Sequence, residues 1–337
     1  MEEMEKKNIY VPSSTKESLL RDARNFEIFR KDRNEVNTNM LLSNILLGYY
    51  ENYSKMLEEK RKLVYEHLKD IPMKDESKNE IVNSIVSSVI SPLRDKGKNE
   101  KMVSMSLKPT KATRAIISHI NDNELRNESI SKYFCKMLMS YCAKPIYERE
   151  RIVFSDNCER INEAIESKRC LSFSTIWNSD RHNVVPYGLV VGRDEMFNYL
   201  LCAEISKDDG SYSARTYRLN RINDLTYYSS GYYIDEKIRS YLERMKSDAA
   251  YAINDDEETC VRLTEIGKKN YNRIYFGRPN VERIDGDLYY FRCSRTQLEF
   301  YFRRFGKDAV VLKPKQIKDD ITEFFKEAYL TYNTEEE

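Results

Sequence analysis

Ser213-Ala214-Arg215-Thr216-Tyr217-Arg218-Leu219-Asn220-Arg221-Ile222 is the stretch on which the reading of this chain turns. Its three arginines fall at every third position around two apolar residues. On a strand, Tyr217 and Leu219 share one face and Thr216 and Arg218 the other. The apolar pair then anchors the strand, and Arg218 projects away from the core. The strand ends near Asn220, just before Arg221. Arginine is always charged, and its planar fork matches phosphate and stacks on bases. Such a strand suits an anion. The plainer alternative is a surface strand whose arginines pair with Asp208, Asp209 or Asp224.

Two segments lead up to it: Val184-Val185-Pro186-Tyr187-Gly188-Leu189-Val190 and Asn198-Tyr199-Leu200-Leu201-Cys202-Ala203-Glu204. In order and spacing the three together resemble the WYL domain, a small Sm-like β-barrel named for a Trp-Tyr-Leu triplet. Here the triplet reads Asn198-Tyr199-Leu200. The helix around Glu159–Ile165 and the first strand, Cys170-Leu171-Ser172-Phe173, also fit, so the resemblance covers about residues 155–235. It implies a ligand-sensing or nucleic-acid-binding module rather than an enzyme. The implied pocket has Tyr199, Arg218 and Arg221 in its polar wall, with Arg215 and His182 as further members. Arginine would grip phosphate, and tyrosine would stack on a base or bond a phosphate oxygen. No catalytic residue, cofactor or metal is implied.

Composition narrows the ligand. The chain has 337 residues, enough for two to three domains, and a net charge of +1. A nucleic-acid site must therefore come from local segregation of charge. Single strands suit it better than duplexes, because aromatic stacking supplies part of their binding energy, and 25 tyrosines are on hand. The seven cysteines form no Cys-x-x-Cys, and with three histidines no zinc site can be written at the usual spacings. They read as reduced thiols. Met1-Glu2-Glu3-Met4-Glu5-Lys6-Lys7 lacks the apolar core of a signal peptide, and no apolar run approaches a membrane span. The expected location is the cytoplasm, with no membrane partner.

Before the WYL-like segment the periodicity changes. Ile9 and Val11 alternate with Asn8 and Tyr10, and Pro12 ends the strand. Ser13 or Ser14 can cap a helix to about Arg30, and Asn37 one from Thr38 to about Lys62 with Leu41, Ile45 and Tyr49 on one face. Strand, helix, helix resembles a ribbon-helix-helix domain, whose Asn8 and Tyr10 would be the candidate ribbon contacts. One such unit cannot bury its own face. The second copy comes from another chain, giving a homodimer, or from residues 103–141. There Val103, Met105 and Leu107 alternate with polar residues, Pro109-Thr110 opens a helix with Ala112, Ile116 and Ile120, and Asn127 can cap another with Ile130, Phe134, Leu138 and Tyr141. After the WYL-like segment comes a helix with Ile238, Tyr241, Leu242 and Met245, then alternating elements that make a β-α-β-β-α-β unit. Phe302, Phe305, Ile317, Ile321, Phe324 and Ala328 have the spacing of packed helices.

We therefore expect an α+β multidomain fold. It comprises a ribbon-helix-helix domain over 1–62, a helical region over 63–150 with the candidate second copy at 103–141, a WYL domain over 151–235, a connecting helix and loop over 236–258, and a ferredoxin-like extension over 259–337.

Two Arg-to-His spacings, Arg114 to His119 and Arg61 to His67, resemble the RNase motif of HEPN domains. Arg114 and His119 stand about 500° apart around a helix and share no face. In a chain this rich in arginine the match carries little. No Gly-rich phosphate loop or Ser/His/Asp set is present, and Asp208-Asp209-Gly210 reads as a hairpin turn.

The combination of modules resembles the accessory proteins of type VI-D CRISPR systems. That resemblance implies a non-enzymatic protein that binds single-stranded RNA and stimulates an RNA-guided, RNA-cutting effector nuclease. The alternative is a DNA-binding transcriptional regulator with ribbon-helix-helix readout and a ligand-sensing WYL pocket.

Overall fold

The computed structural model describes residues 6–31, 35–90, 100–125, 128–194, 196–229 and 231–334. Parts of the expected helical region, residues 91–99 and the cap residue Asn127, lie outside them. The chain divides into two units: Met1–Glu159 with Leu219–Arg221, and Arg160–Arg218 with Ile222–Glu337.

In the first unit, β1 (Lys7–Pro12) leads into α1 (Ser13–Asn25), α2 (Thr38–Leu68) and α3 (Asp75–Ile90). Then β2 (Met102–Leu107) leads into α4 (Lys111–His119), a π-helical turn Ile120–Glu124, α5 (Ile130–Cys142) and α6 (Ile146–Val153). β1 and β2 pair antiparallel within the one chain, Ile9 opposite Met105 and Tyr10 opposite Ser104. Ile9, Val11, Leu41 and Ile45 are all buried without a second copy of the protein. The ribbon therefore gives no reason of its own for a homodimer.

Several local expectations change in detail. Neither Ser13 nor Ser14 caps α1 by its side chain. Glu100 does so from far along the chain, accepting from the Ser14 N–H (2.6 Å) and the Ser13 hydroxyl (3.2 Å). α1 stops at Asn25 because the backbone turns at Glu27 (φ 57) to bury Phe26 and Ile28. Asn37 does cap α2, accepting from Met40 N–H at 3.0 Å. α4 buries Thr113 and Ile117 rather than Ala112 and Ile116, and Ile120 is buried at the start of the π-helical turn. Ser129 caps α5.

Helix packing leaves no room at Gly48 of α2. A Cβ there would lie 2.0 Å from the Ile152 carbonyl oxygen of α6. Gly48→Ala is expected to destabilise the protein by about 1–3 kcal/mol, the usual range for overpacking. Chemical denaturation checks it, and an unchanged midpoint would contradict it.

α7 (Ser155–Glu166) carries the chain onward. The second unit then builds β3 (Cys170–Thr175), β4 (Asn178–Val191), β5 (Asn198–Ile205), β6 (Tyr212–Arg218), the 3-10 turn Leu219–Arg221 and β7 (Ile222–Ser229). The sheet order is β6-β5-β4-β3-β7, every neighbour antiparallel. The expected barrel is corrected to an open, curled sheet. Tyr217 on β6 and Phe173 on β3 bring their rings to 5.0 Å although two strands lie between them, so the sheet is strongly bent. β6 and β7 nonetheless do not pair among the described residues. The outer edge of β6 is taken by Asn254, whose side-chain amide both accepts from Ala214 N–H (2.8 Å) and donates to its carbonyl (3.0 Å). α8 (Glu236–Met245), capped by Asp235, buries Ile238, Tyr241, Leu242 and Met245 on the convex face.

The remainder is β8 (Thr259–Leu263), α9 (Glu265–Arg273), β9 (Arg283–Asp285), β10 (Leu288–Phe291), α10 (Arg295–Phe302), β11 (Ala309–Lys313) and α11 (Lys315–Thr334). The strand order is β11-β8-β10-β9. Val261, Phe291 and Val311 pack with Tyr271 of α9 and Leu298, Tyr301 and Phe302 of α10. The expected stripe along α11 is covered only at its start: Ile317 is buried, whereas Phe324 is 40% exposed. No helix among the described residues is long and apolar enough to cross a membrane.

Candidate nucleic-acid interface

The concave face of the curled sheet carries a polar cluster built on Glu204. In register, Glu204 of β5 stands opposite Val184 of β4 and Ser213 of β6. Its diagonal neighbours on that face are His182 and Arg215, within reach of long side chains. His182 Nδ1 lies 2.6 Å from Glu204 Oε1, and Arg215 Nε donates to Oε2 at 3.0 Å. The Tyr217 hydroxyl sits 3.0 Å from His182 Nδ1. Burial, together with the nearby Cys202 and Glu204, holds the Tyr217 phenol far above its ordinary pKa. Phe173, directly opposite His182, backs the imidazole with ring centroids 5.8 Å apart.

The chemistry follows from which atoms are used. Glu204 occupies only Nε of Arg215, so among the described residues the two terminal nitrogens of a half-exposed fork stay open. It likewise holds the His182 ring through Nδ1. A guanidinium with open terminal nitrogens is a group that can hydrogen-bond an anionic oxygen.

The other expected site residues are placed differently. Arg218, the last residue of β6 because the 3-10 turn begins at Leu219 rather than the strand running on to Asn220, does lie on the strand face opposite Tyr217, but it does not project freely. That face is packed against α8, and the Arg218 guanidinium lies flat over the Phe197 ring, 3.4 Å from its centroid. Tyr199 is 6% exposed, and its ring fills the space that a Cβ on Gly192 would need. It is a core residue and offers no platform for a base. Arg221 falls with the first unit and gives Nε and Nη2 to Glu27 Oε1, at 3.1 and 2.7 Å. Asn8 and Tyr10 are exposed on the outer face of the ribbon, Asn8 Oδ1 accepting from Ser106 Oγ at 3.0 Å. The structure thus joins His182 and Arg215, and does not join them to Tyr199. Glu204, which joins the pair, is absent from the sequence-derived set. Its strand parity was legible, but its neighbours depend on strand order.

Asp208-Asp209-Gly210 forms the expected turn. Gly210 has φ +69, and the Ser211 N–H donates to Asp209, holding its carboxyl down to about 2. Among the described residues no group of three or more His, Cys, Asp or Glu could hold a metal ion.

The second unit thus combines a curled antiparallel sheet with a polar concave face and a β-α-β-β-α-β extension. Residues 156–227 match the family model of the WYL domain. A solved structure described as a CRISPR Cas-related protein is similar along nearly the whole length. It is 22% identical, covers 99% of this chain and 95% of its own, and superposes with a TM-score of 0.70. The two share their fold. Proteasome accessory factor B/C of Arthrobacter aurescens is also similar, at 15% identity over 68% of this chain and 37% of its own, but its TM-score of 0.26 carries no argument. No curated protein matches the sequence.

Proposed function

We propose that this protein is a non-catalytic accessory protein that binds single-stranded RNA and stimulates an RNA-guided, RNA-targeting CRISPR effector nuclease. The observation that carries the RNA reading is the Glu204 clamp, which presents Arg215 and His182 together. The whole-chain likeness to a CRISPR Cas-related protein supports the setting. In this reading β1-α1-α2 and β2-α4-α5 are two copies of one ribbon-helix-helix unit, the WYL sheet is an Sm-like fold, and the last four strands are a ferredoxin-like extension.

The test measures binding of the full chain to unrelated single-stranded RNA, single-stranded DNA and duplex DNA at two salt concentrations, then target cleavage by the effector with and without the protein. RNA should bind tightest, and cleavage should rise. Preference for duplex DNA would instead favour a transcriptional regulator. One observation supports that second reading: the ribbon turns Asn8 and Tyr10 outward, where base edges could be met.

The protein is also proposed to dimerise, through α11 rather than the ribbon. Beyond Ile317 the helix leaves Phe324, Phe325, Tyr329, Leu330 and Tyr332 open to solvent. A helix half of about 12 residues has little stability alone in water and needs tertiary cover. Antiparallel pairing about a two-fold axis between Phe324 and Phe325 sets Lys326 of each copy against Glu323 of the other. Light scattering should show a dimer for the wild type and a monomer for Phe325→Asp/Tyr329→Asp. A wild-type monomer at micromolar concentration would contradict this.

A further inference from the structure

Charge is not spread evenly over this chain of 56 basic and 55 acidic residues. Residues 266–281 contain four basic residues and no acid, and residues 300–307 contain three and no acid. The fold brings the two segments together. α9 packs against the 3-10 turn Arg303–Asp308 so closely that a Cβ on Gly267 would lie 2.1 Å from the Asp308 carbonyl oxygen. Arg304 Nη1 donates to the Phe276 carbonyl at 2.8 Å, with its guanidinium over the Phe276 ring. Arg278 Nη1 reaches the Tyr271 and Asn272 carbonyls at the end of α9, at 3.3 and 3.4 Å.

Among the described residues, Arg273, Arg278, Arg304 and Lys307 make no ion pair, whereas Lys268 and Arg303 are matched by Glu265 and Glu299. Three neighbouring carboxylates have other partners: Asp308 accepts from the Thr264 hydroxyl at 2.7 Å. Asp194 takes Arg193 Nε and the Gly277 N–H, and Asp248 takes Arg193 Nη2 and the Gln297 amide. Between the arginines stand two open rings, Tyr275 at 71% and Phe276 at 43% exposure. Gly277 follows with φ +70, a turn that glycine makes without strain.

Guanidinium groups without counter-charges around exposed aromatic rings are the two ingredients of single-strand binding: phosphates attract the first and bases stack on the second. We infer that Arg273, Tyr275, Phe276, Arg278 and Arg304 form a second contact surface for single-stranded RNA, on the C-terminal extension and separate from the Glu204 cluster. This rests on the RNA-binding reading above. A protein partner would be expected to need a larger apolar area than two rings provide.

The test uses the full chain and a fluorescein-labelled polyuridine of about 24 nucleotides, longer than one typical single-strand site. Arg273→Glu/Tyr275→Ala alters two exposed side chains, and its melting curve should match the wild type. RNA affinity should fall about ten-fold, the effect expected for one stacked base and one phosphate contact. The slope of log K against log salt should become shallower, and ultraviolet crosslinking should join uridine to the peptide that contains Tyr275. Wild-type affinity, wild-type slope and no crosslink at that peptide would overturn this surface. Weakened binding in Arg215→Ala with none here would overturn it while sparing the RNA-binding reading. Failure of the wild-type chain to bind the oligonucleotide would overturn both.

Discussion

Asp22→Ala is expected to lower stability by about 3–5 kcal/mol, the cost of removing one partner from a buried ion pair. Asp22 lies in α1 and is fully buried. Its carboxylate accepts from the Tyr141 hydroxyl of α5 at 2.9 Å, and Arg149 Nη1 of α6 donates to both its oxygens at 2.8 Å. One side chain thus ties three helices. Alanine would leave a largely buried guanidinium without its counter-charge and a phenol without an acceptor, each with a desolvation cost. Denaturation by urea should show the effect as a lower midpoint. Tyr141→Phe should cost much less, because it removes one hydrogen bond and leaves the ion pair. A midpoint for Asp22→Ala within experimental error of the wild type would show that the ion pair contributes nothing to the fold.

The second large effect concerns binding. Arg215→Ala/His182→Ala should weaken single-stranded RNA binding about 10- to 100-fold, since hydrogen bonds to charged groups contribute about 1.5–3 kcal/mol. The salt slope should fall by about 0.7 for each phosphate that the variant no longer neutralises. Arg215 is half exposed, so its removal should cost little stability. Arg218→Ala should behave in the opposite sense. It strips the cover from Phe197, so its effect should appear first in the melting temperature. Unchanged RNA affinity in the folded double variant would remove the Glu204 cluster from the binding site.

Alternation found strands reliably. Ile9 and Val11, and Val103, Met105 and Leu107, marked β1 and β2, because a two-residue period admits one buried face. Asn37 marked a helix start, because a cap acts within its own turn. The same local logic failed at α1, where the cap is Glu100, 86 residues from Ser14. It slipped by one residue on α4, where Ala112 and Thr113 present similar small side chains and only packing chose between them.

The site divides along the same line. The sequence alone determined which residue types could grip an anion, and on which face of its strand Arg218 lies. It could not tell that the face of Arg218 is itself covered, nor that Tyr199 is filled in against Gly192, because both depend on α8 and on a turn elsewhere in the chain. Nor could it name Glu204, whose role exists only once β4 and β6 flank β5. Strand parity is a property of one strand and is written in its residues. Cover, partners and open edges are properties of neighbours, and only the tertiary structure brings neighbours together.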